Sequence, residues 1–294
     1  MYSNSRDLHL VAAVCLTLLV AVGGAHAQGY GLPAVDGVYS YGTPNLPAAE
    51  PWASSDTLLW GEGRFFDGGQ TYSAGVQARV GQDTEAGLTL FHLTTSGDDP
   101  IAGAVRDSEA TLIGLNLKWL AYRGDQIAVS VLPGIEYPIG DMEGTNTTIP
   151  ATAVSDDIIL ELAVPVEYIT EDGLILRAVP KYVGFDDSPS VNGTTIDGFG
   201  DVIALGLGGT YSDVEWSAMA DVAIVLSGDN SIDADTNEPT DEMVWSAGGS
   251  WHGIDSDVRI DLFVTNAAGP TAASSIIATP DNSVGVGIRV SGEF

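Results

Sequence analysis

The segment SVGVGIRVSGEF, residues 283–294, alternates apolar residues with small or polar ones from end to end. Val284, Val286 and Ile288 follow at every second position, and the last residue is the aromatic Phe294. Side chains of a β-strand point alternately to its two faces, so this period predicts a strand with one apolar face. Most domains end in a frayed polar tail, and a strand that runs to an aromatic last residue therefore needs a neighbouring strand that holds it.

The start of the chain has the layout of a secretory signal peptide. Arg6 precedes an apolar run at residues 10–25, which ends in an A-x-A cleavage site. The run is too short for a membrane-spanning helix, which is the alternative interpretation. We expect residues 1–27 to be removed, and with them the only cysteine, Cys15, so that the mature chain has no disulfide and no cysteine-ligated metal.

The composition is strongly acidic. Forty Asp and Glu residues oppose ten Lys and Arg, which gives a formal net charge of −30 at pH 7. Such a chain repels a phosphate backbone, so the composition excludes nucleic acid as a partner. A hydrophobic content of 45% argues against intrinsic disorder.

From residue 55 onward the chain consists of segments of about ten residues in which apolar and polar positions alternate. Residues 28–54, rich in Gly, Pro and Tyr and without periodicity, are interpreted as a flexible Gly/Pro-rich N-terminal segment. No apolar run is long enough to cross a bilayer as a helix. The twelve predicted strands are 56–66, 71–82, 86–96, 109–122, 126–138, 157–169, 174–185, 201–212, 214–226, 241–252, 257–267 and 283–294.

The connections between these strands alternate between short and long. The five tight turns are 83–87, 123–125, 170–173, 212–214 and 253–257, and the long connections are 97–108, 139–156, 186–200, 227–240 and 268–282. Among the connections on the same side as the long loops, only residues 67–70 form a short one. This asymmetry is typical of transmembrane barrels, whereas a β-sandwich, the alternative, gives no reason for it. The sequence predicts an all-β fold, a single antiparallel up-and-down transmembrane β-barrel of about 12 strands over residues 55–294.

The signal peptide, the alternating strands and the terminal Phe294 together resemble bacterial outer-membrane β-barrel proteins. In that class the last strand closes the barrel against the first, and its C-terminal aromatic residue is read by the barrel-assembly machinery. The resemblance implies the bacterial outer membrane as the location. It also implies outer-membrane lipid and the assembly machinery as partners, with Phe294 as the assembly signal.

If the apolar rows face lipid, the rows of opposite parity face the lumen. A charge on the lipid face costs about 2–4 kcal/mol at mid-bilayer, so charged residues are expected inside. The predicted lumen-lining charges are Arg64, Arg79, Lys118, Glu136, Glu161, Glu167, Arg177, Lys181, Arg259, Asp261 and Arg289, and Glu62, Glu215 and Asp221 share their face.

The tight turn TEDG at residues 170–173 sets the register of one hairpin. It places Glu167 opposite Arg177, and Ala163 opposite Lys181, which predicts a cross-strand ion pair. Such pairs either line a water-filled passage or neutralise one another in a closed interior. Twelve strands lie between the eight that side chains can fill and the sixteen or more of open porins, so both alternatives stand.

Two further stretches carry a second resemblance. Residues 196–213 (IDGFGDVIALGLGGTYSD) and 129–140 (VSVLPGIEYPIG) are similar to the Gly-x-Gly-Asp strand opening and the Pro-x-Gly strand end of the outer-membrane family linked to the phenol-degradation MetA pathway. Its members are taken as transporters of small, often aromatic compounds. The resemblance implies a diffusion channel or transporter for small polar or aromatic solutes. The alternative is a structural or surface-interaction barrel with a closed lumen and acidic external loops.

An enzyme is not expected. Ser250, His252 and Asp257 share a predicted face near one turn. Residues two apart on a strand lie about 6.6 Å apart, however, which is too far for a direct nucleophile–base hydrogen bond. The His-x-Ser signature of outer-membrane phospholipase A and the G-x-S-x-G elbow are both absent from the sequence. No catalytic residue and no cofactor is therefore predicted.

The acidic loop at residues 229–242 contains Asp233, Asp235 and Asn237 at the spacing that opens a calcium-binding loop. The sixth position of such a loop requires Gly, and it is Glu238 in this chain. A solvated acidic loop is the favoured interpretation, and no metal site is predicted.

Overall fold

The computed structural model describes residues 42–49, 57–67, 69–95, 108–138, 158–170, 172–185, 190–191, 194–195, 200–213, 215–232, 239–252, 258–279 and 282–293. No helix in these ranges is both long and apolar enough to cross a membrane. The strands are β1 (Thr57–Phe66), β2 (Gly69–Gly81), β3 (Thr84–Thr95), β4 (Ser108–Arg123), β5 (Ile127–Pro138), β6 (Ile159–Ala163), β7 (Val166–Ile169), β8 (Leu174–Gly184), β9 (Ser190–Val191), β10 (Thr194–Thr195), β11 (Val202–Ser212), β12 (Trp216–Ser227), β13 (Ser231–Ile232), β14 (Pro239–Thr240), β15 (Val244–His252), β16 (Val258–Thr265) and β17 (Gly285–Glu293).

One antiparallel sheet closes on itself to form a barrel. All strands except the two small hairpins, β9–β10 and β13–β14, belong to this sheet, and each pairs with the next wall strand along the chain. Closure is made by β1 and β17, with Glu62 opposite Arg289. Because β6 and β7 are two parts of one wall strand, the barrel has twelve strands. The predicted fold class is confirmed, and the last strand pairs with the first, as predicted.

Pro165 divides the sixth wall strand into β6 and β7, since proline has no N–H to donate to a ladder. The wall nevertheless continues through this point. The carbonyl of Pro165 accepts a hydrogen bond from the backbone N–H of Ser130 at 3.0 Å, and the N–H of Val164 donates to the carbonyl of Pro180 at 3.0 Å.

All twelve predicted strands are found, and their observed ends lie within three residues of the predicted ones. The hairpins β9–β10 and β13–β14 lie in two of the long connections and are not predicted from the sequence. Strands of two residues are too short to show a period of two.

The outer face of the barrel is apolar. Leu160, Leu207, Leu262 and Ile288 lie in different wall strands, and each is between 41% and 59% exposed. Aromatic side chains near the strand ends share this exposure, namely Tyr72, Trp119, Tyr137, Tyr168, Tyr211, Trp216 and Trp251. An apolar exterior of this extent needs an apolar surrounding, and aromatic residues at both rims are typical of barrels that sit in lipid.

The interior is also apolar at the end where the long connections lie. The connection between β16 and β17 folds into the barrel there, and we call its residues 266–279 the inward loop. Ile276 and Ile277 in this loop are fully buried and pack against wall residues that include Phe91 and Leu112. The sequence predicts charged inward rows and does not predict this apolar end, because Phe91 lies in a run where both faces carry apolar residues.

Candidate functional site in the barrel lumen

Most of the predicted lumen charges are buried. Arg79 and Arg289 are half-buried, and the buried ones are Arg64, Lys118, Glu136, Glu161, Glu167, Arg177, Lys181, Arg259 and Asp261. Glu62 and Asp221 are buried as well. Glu215, by contrast, is exposed, and its assignment to the inner face is wrong because β12 begins only at the next residue.

Glu62 binds two arginines at the junction of the first and last strands. Its Oε1 lies 2.6 Å from Nε of Arg64, and its Oε2 lies 2.5 Å from Nη2 of Arg289. The remaining donors of Arg64 bind oxygen atoms of two chain segments that enter the lumen. Arg64 is completely buried, and its planar set of donors allows it to join the wall to both segments at once.

The predicted ion pair between neighbouring strands is confirmed. Glu167 lies opposite Arg177, and Ala163 opposite Lys181. The Nε of Arg177 is 2.6 Å from Oε1 of Glu167, with both side chains at 0% exposure. Arg177 also donates to the hydroxyl of Thr210 at 2.6 Å, so the pair is buried and hydrogen-bonded.

Glu85 is a buried charge that sequence reasoning missed. The Nζ of Lys118 lies 2.7 Å from Oε2 of Glu85, and the amide of Gln77 donates to the same oxygen at 3.2 Å. The predicted tight turn at residues 83–87 included Glu85, whereas β3 already begins at Thr84. The alternation along β3 places Glu85 on the inward side, and this signal in the sequence would have identified it as a lumen residue.

Residues 42–49, which we call the lumenal segment, lie inside the barrel, and all of them but Pro47 are buried. The side-chain amide of Asn45 donates to Oδ1 of Asp221 at 2.9 Å, and its carbonyl oxygen accepts from Nη1 of Arg64 at 3.0 Å. The sequence does not predict this placement, because residues 28–54 show no period of a strand or helix.

Leu46 fixes the lumenal segment against the wall by filling a gap that glycines leave. A Cβ atom at Gly206 would collide with Leu46, and one at Gly208 would come within 3.0 Å of its Cδ1. The other neighbours of Leu46 in this contact include Val179 and Leu132. The glycines of the stretch GLGG in β11 thus leave room for the lumenal segment.

Lys181 connects the lumenal segment to the inward loop. Its Nζ donates to the carbonyl of Asn45 at 2.8 Å and to the hydroxyl of Ser275 at 2.6 Å. The inward loop is also bound directly by the wall, since the backbone N–H of Ala273 donates to Oε1 of Glu161 at 2.7 Å. The two segments and the charged wall therefore form one hydrogen-bonded network.

A cavity of about 160 Å³, which we call the inner cavity, remains between the two segments and strands β1 to β6, β16 and β17. Its floor consists of two inward rows that cross the sheet from strand to strand. The first row is Trp60, Gly75, Thr89, Gly114 and Glu136, and the second is Leu58, Gln77, Gly87, Asn116, Gly134 and Glu161. Small residues in the middle of both rows leave the space, and the two carboxylates stand at the same end.

The catalytic alternative gains no support from the described residues. The hydroxyl of Ser250 accepts a hydrogen bond from Nη2 of Arg259 at 2.6 Å. Asp257, the third residue of that candidate, lies outside the described residues. So do Asp233, Asp235 and Asn237 of the loop that resembles the start of a calcium-binding loop.

The fold and its lumen define a class: a closed, twelve-stranded antiparallel barrel with an apolar exterior and a charged interior that its own chain partly fills. The fold is similar to that of the COG4313 outer membrane channel from Pseudomonas putida F1, with a TM-score of 0.55 and 12% identity over 84% of this chain and 98% of that chain. It is also similar to the NanC porin, with a TM-score of 0.50 and 10% identity over 81% of this chain and 100% of that chain. No protein-family model and no curated protein matches the sequence.

Proposed function

We propose that this protein is an outer-membrane channel for small polar or aromatic solutes, and that the lumenal segment closes its passage in the conformation described above. The observation that carries the proposal is the inner cavity, about 160 Å³ of space bordered by buried charged and polar side chains inside a closed barrel. A barrel with a purely structural role needs no such space. Interiors without function are packed to a high density.

The proposed location is the bacterial outer membrane. The apolar outer face and its aromatic rims would contact outer-membrane lipid, and the predicted signal peptide, residues 1–27, would direct the chain to export. Phe294, which lies outside the described residues, is proposed to be the signal for the barrel-assembly machinery.

The proposed solutes are small because the inner cavity is small. A cavity of roughly 150 Å³ holds a benzene-sized molecule, and the inner cavity has about 160 Å³. The resemblance of residues 129–140 and 196–213 to the MetA-pathway outer-membrane family supports aromatic compounds among them. The names of the two similar structures, a channel and a porin, agree with transport rather than with an enzyme.

The contacts of the lumenal segment allow it to move. Among the described strands, none pairs with residues 42–49, so the segment is held by hydrogen bonds with side chains and by the buried contacts of Leu46 and Ala49. Wall strands, in contrast, are held by continuous ladders on both sides. The segment can therefore leave its place at a lower free-energy cost than any part of the wall.

The second candidate function is a structural or surface-interaction barrel with a closed lumen. One observation favours it: the lumenal segment and the inward loop together fill much of the interior, and they are joined through Lys181. The two functions differ in whether ions or solutes cross the barrel once the lumenal segment is absent.

Deletion of residues 42–49 tests the proposal in planar lipid bilayers. We expect the full chain to give small or brief conductance steps. The deletion variant should give stable steps of several-fold higher conductance, because the segment and its contacts with Asp221 and Leu132 are gone.

Deletion of residues 30–37 is the matched control, because it removes the same number of residues outside the described segment. This control should conduct like the full chain. If folded protein without residues 42–49 conducts no better than bare lipid, the channel proposal is wrong and the closed barrel is the better explanation.

A further inference from the structure

The inner cavity contains oxygen atoms that no donor satisfies. Glu136 is 1% exposed, and neither of its carboxylate oxygens has a partner in good hydrogen-bond geometry among the described residues, although the side chains of Glu161 and Thr271 lie beside it. The Oδ1 atom of Asn116, which borders the same cavity, is buried and also without a partner in that part of the chain. Buried polar atoms are normally paired, so unpaired ones at a cavity point to a missing donor.

Glu161 adds a second carboxyl group at the same place. It is the inward residue opposite Gly134, and Glu136 lies two positions along β5 from that glycine, so the two carboxylates are diagonal neighbours. A Cβ atom at Gly134 would lie 2.5 Å from Oε2 of Glu161, and one at Gly114 would contact Glu136. The glycines thus provide the room in which both carboxylates fit.

The nearby basic groups are engaged with other partners. Lys118 is paired with Glu85, and Arg289 with Glu62. Lys181 donates to a backbone carbonyl and a hydroxyl. Within the described ranges, no salt bridge binds Glu136 or Glu161, so this end of the cavity is rich in acceptor oxygens.

The opposite end of the floor presents apolar side chains, and the guanidinium of Arg289 lies over the Trp60 ring there, 5.8 Å from its centre. Trp60 and Leu58 occupy this end, and Leu132 lies beside the carboxylates on β5. A bare inorganic cation would use only the carboxylate end, while a molecule with a charged donor group and an apolar body would use both ends. The volume of about 160 Å³ is that of a cavity which holds a benzene-sized molecule, roughly 150 Å³.

We propose that the inner cavity binds a small organic ammonium ion. Its N–H groups donate to the carboxylate of Glu136 and to Oδ1 of Asn116, with the carboxyl group of Glu161 beside them, and its apolar part lies against Trp60, Leu58 and Leu132. Charge-assisted hydrogen bonds of this kind are about twice as strong as neutral ones. That the ammonium ion is also the transported solute rests on the proposed channel function, whereas the binding itself does not.

Binding is measured by isothermal titration calorimetry on the full chain in detergent, with n-butylammonium chloride as the probe. Potassium chloride at the same ionic strength and 1-butanol are the comparison titrants, because the first lacks the apolar body and the second the charge. We expect saturable binding of butylammonium only, and binding about tenfold or more weaker in Glu136→Gln, since one charge-assisted hydrogen bond becomes neutral.

Glu215→Gln is the matched control, because it removes an exposed carboxylate of the same chemistry and should bind like the full chain. Glu161→Gln is the second test variant, in case Glu136→Gln does not fold, and it should weaken binding in the same direction. Equal binding in the test variants and the control would overturn the proposal. So would binding of potassium as tight as that of butylammonium, or no binding at all, the result expected if the two carboxyl groups share a proton.

The result is separable from that of the conductance experiment. A protein that binds butylammonium but never conducts retains the cation site and loses the channel function. A protein that conducts without binding butylammonium retains the channel and loses the cation site.

Discussion

Replacing Arg64 by Met is expected to lower the free energy of unfolding by about 2 kcal/mol or more, because each buried acceptor that loses its donor costs about 1–3 kcal/mol. Two such acceptors have Arg64 as their donor, the side-chain oxygen of Asn45 at 3.0 Å and the carbonyl oxygen of Ala267 at 3.1 Å, whereas the carbonyl oxygen of Pro44 keeps Arg289 as a donor at 3.2 Å. Glu62 keeps Arg289 as its partner. The loss therefore falls on the lumenal segment and the inward loop rather than on the wall.

The release of the lumenal segment is measured separately from stability. In an Ala48→Cys background, the thiol at this buried position should react slowly with a maleimide, and much faster once Arg64 is replaced. The control is Arg259→Met, which removes another buried arginine, one that is ion-paired with Asp261 and donates to Ser250 of the wall. If both arginine variants leave the labelling rate equally slow, Arg64 does not hold the lumenal segment.

Replacing Glu167 by Gln is expected to lower the free energy of unfolding by about 3–5 kcal/mol, since it leaves a buried guanidinium without its counter-charge. Arg177→Met should have an effect of similar size, because it leaves the carboxylate of Glu167 uncompensated. Both side chains are at 0% exposure, and their atoms are 2.6 Å apart, so solvent does not screen the pair. Equilibrium unfolding in urea, with the barrel in detergent, measures each change.

The double variant Glu167→Met/Arg177→Met is the control for this pair. Apolar residues of similar volume in place of a buried ion pair are often close to neutral, so the double variant should be more stable than either single variant. A double variant that loses the sum of the two single losses would show that the two charges do not act as a pair.

The wall of the barrel could be predicted from the sequence because membrane lipid imposes a strict period on each strand. A charge on the outward face is costly, so apolar and polar residues alternate along each strand. Across a tight turn, the inward positions of one strand then determine which positions of its neighbour face inward. For this reason the pairing of Glu167 with Arg177 followed from the turn at residues 170–173 alone. The sixth wall strand kept its register past Pro165 for the same reason.

The contents of the lumen could not be predicted in this way. The lumenal segment has no regular secondary structure, so its position depends on single contacts such as those of Asn45 and Leu46. The need for glycine at Gly206 in the wall becomes clear only from the structure, where Leu46 packs directly against it. The inward face near Phe91 is apolar because the inward loop covers it, and a sequence period cannot show what a loop covers.

Conductance of one molecule with the lumenal segment first locked and then released tests the central claim most directly. Ala49 and Ala128 pack in the same buried cluster, and Cys15 in the predicted signal peptide is the only native cysteine, so Ala49→Cys/Ala128→Cys allows a single designed disulfide in the mature chain. We expect the oxidised protein to stay closed in a planar bilayer, and the same channel to open in stable steps when a reductant is added. Identical conductance before and after reduction, in protein whose disulfide is shown to form and break, would contradict the claim that the lumenal segment closes a passage.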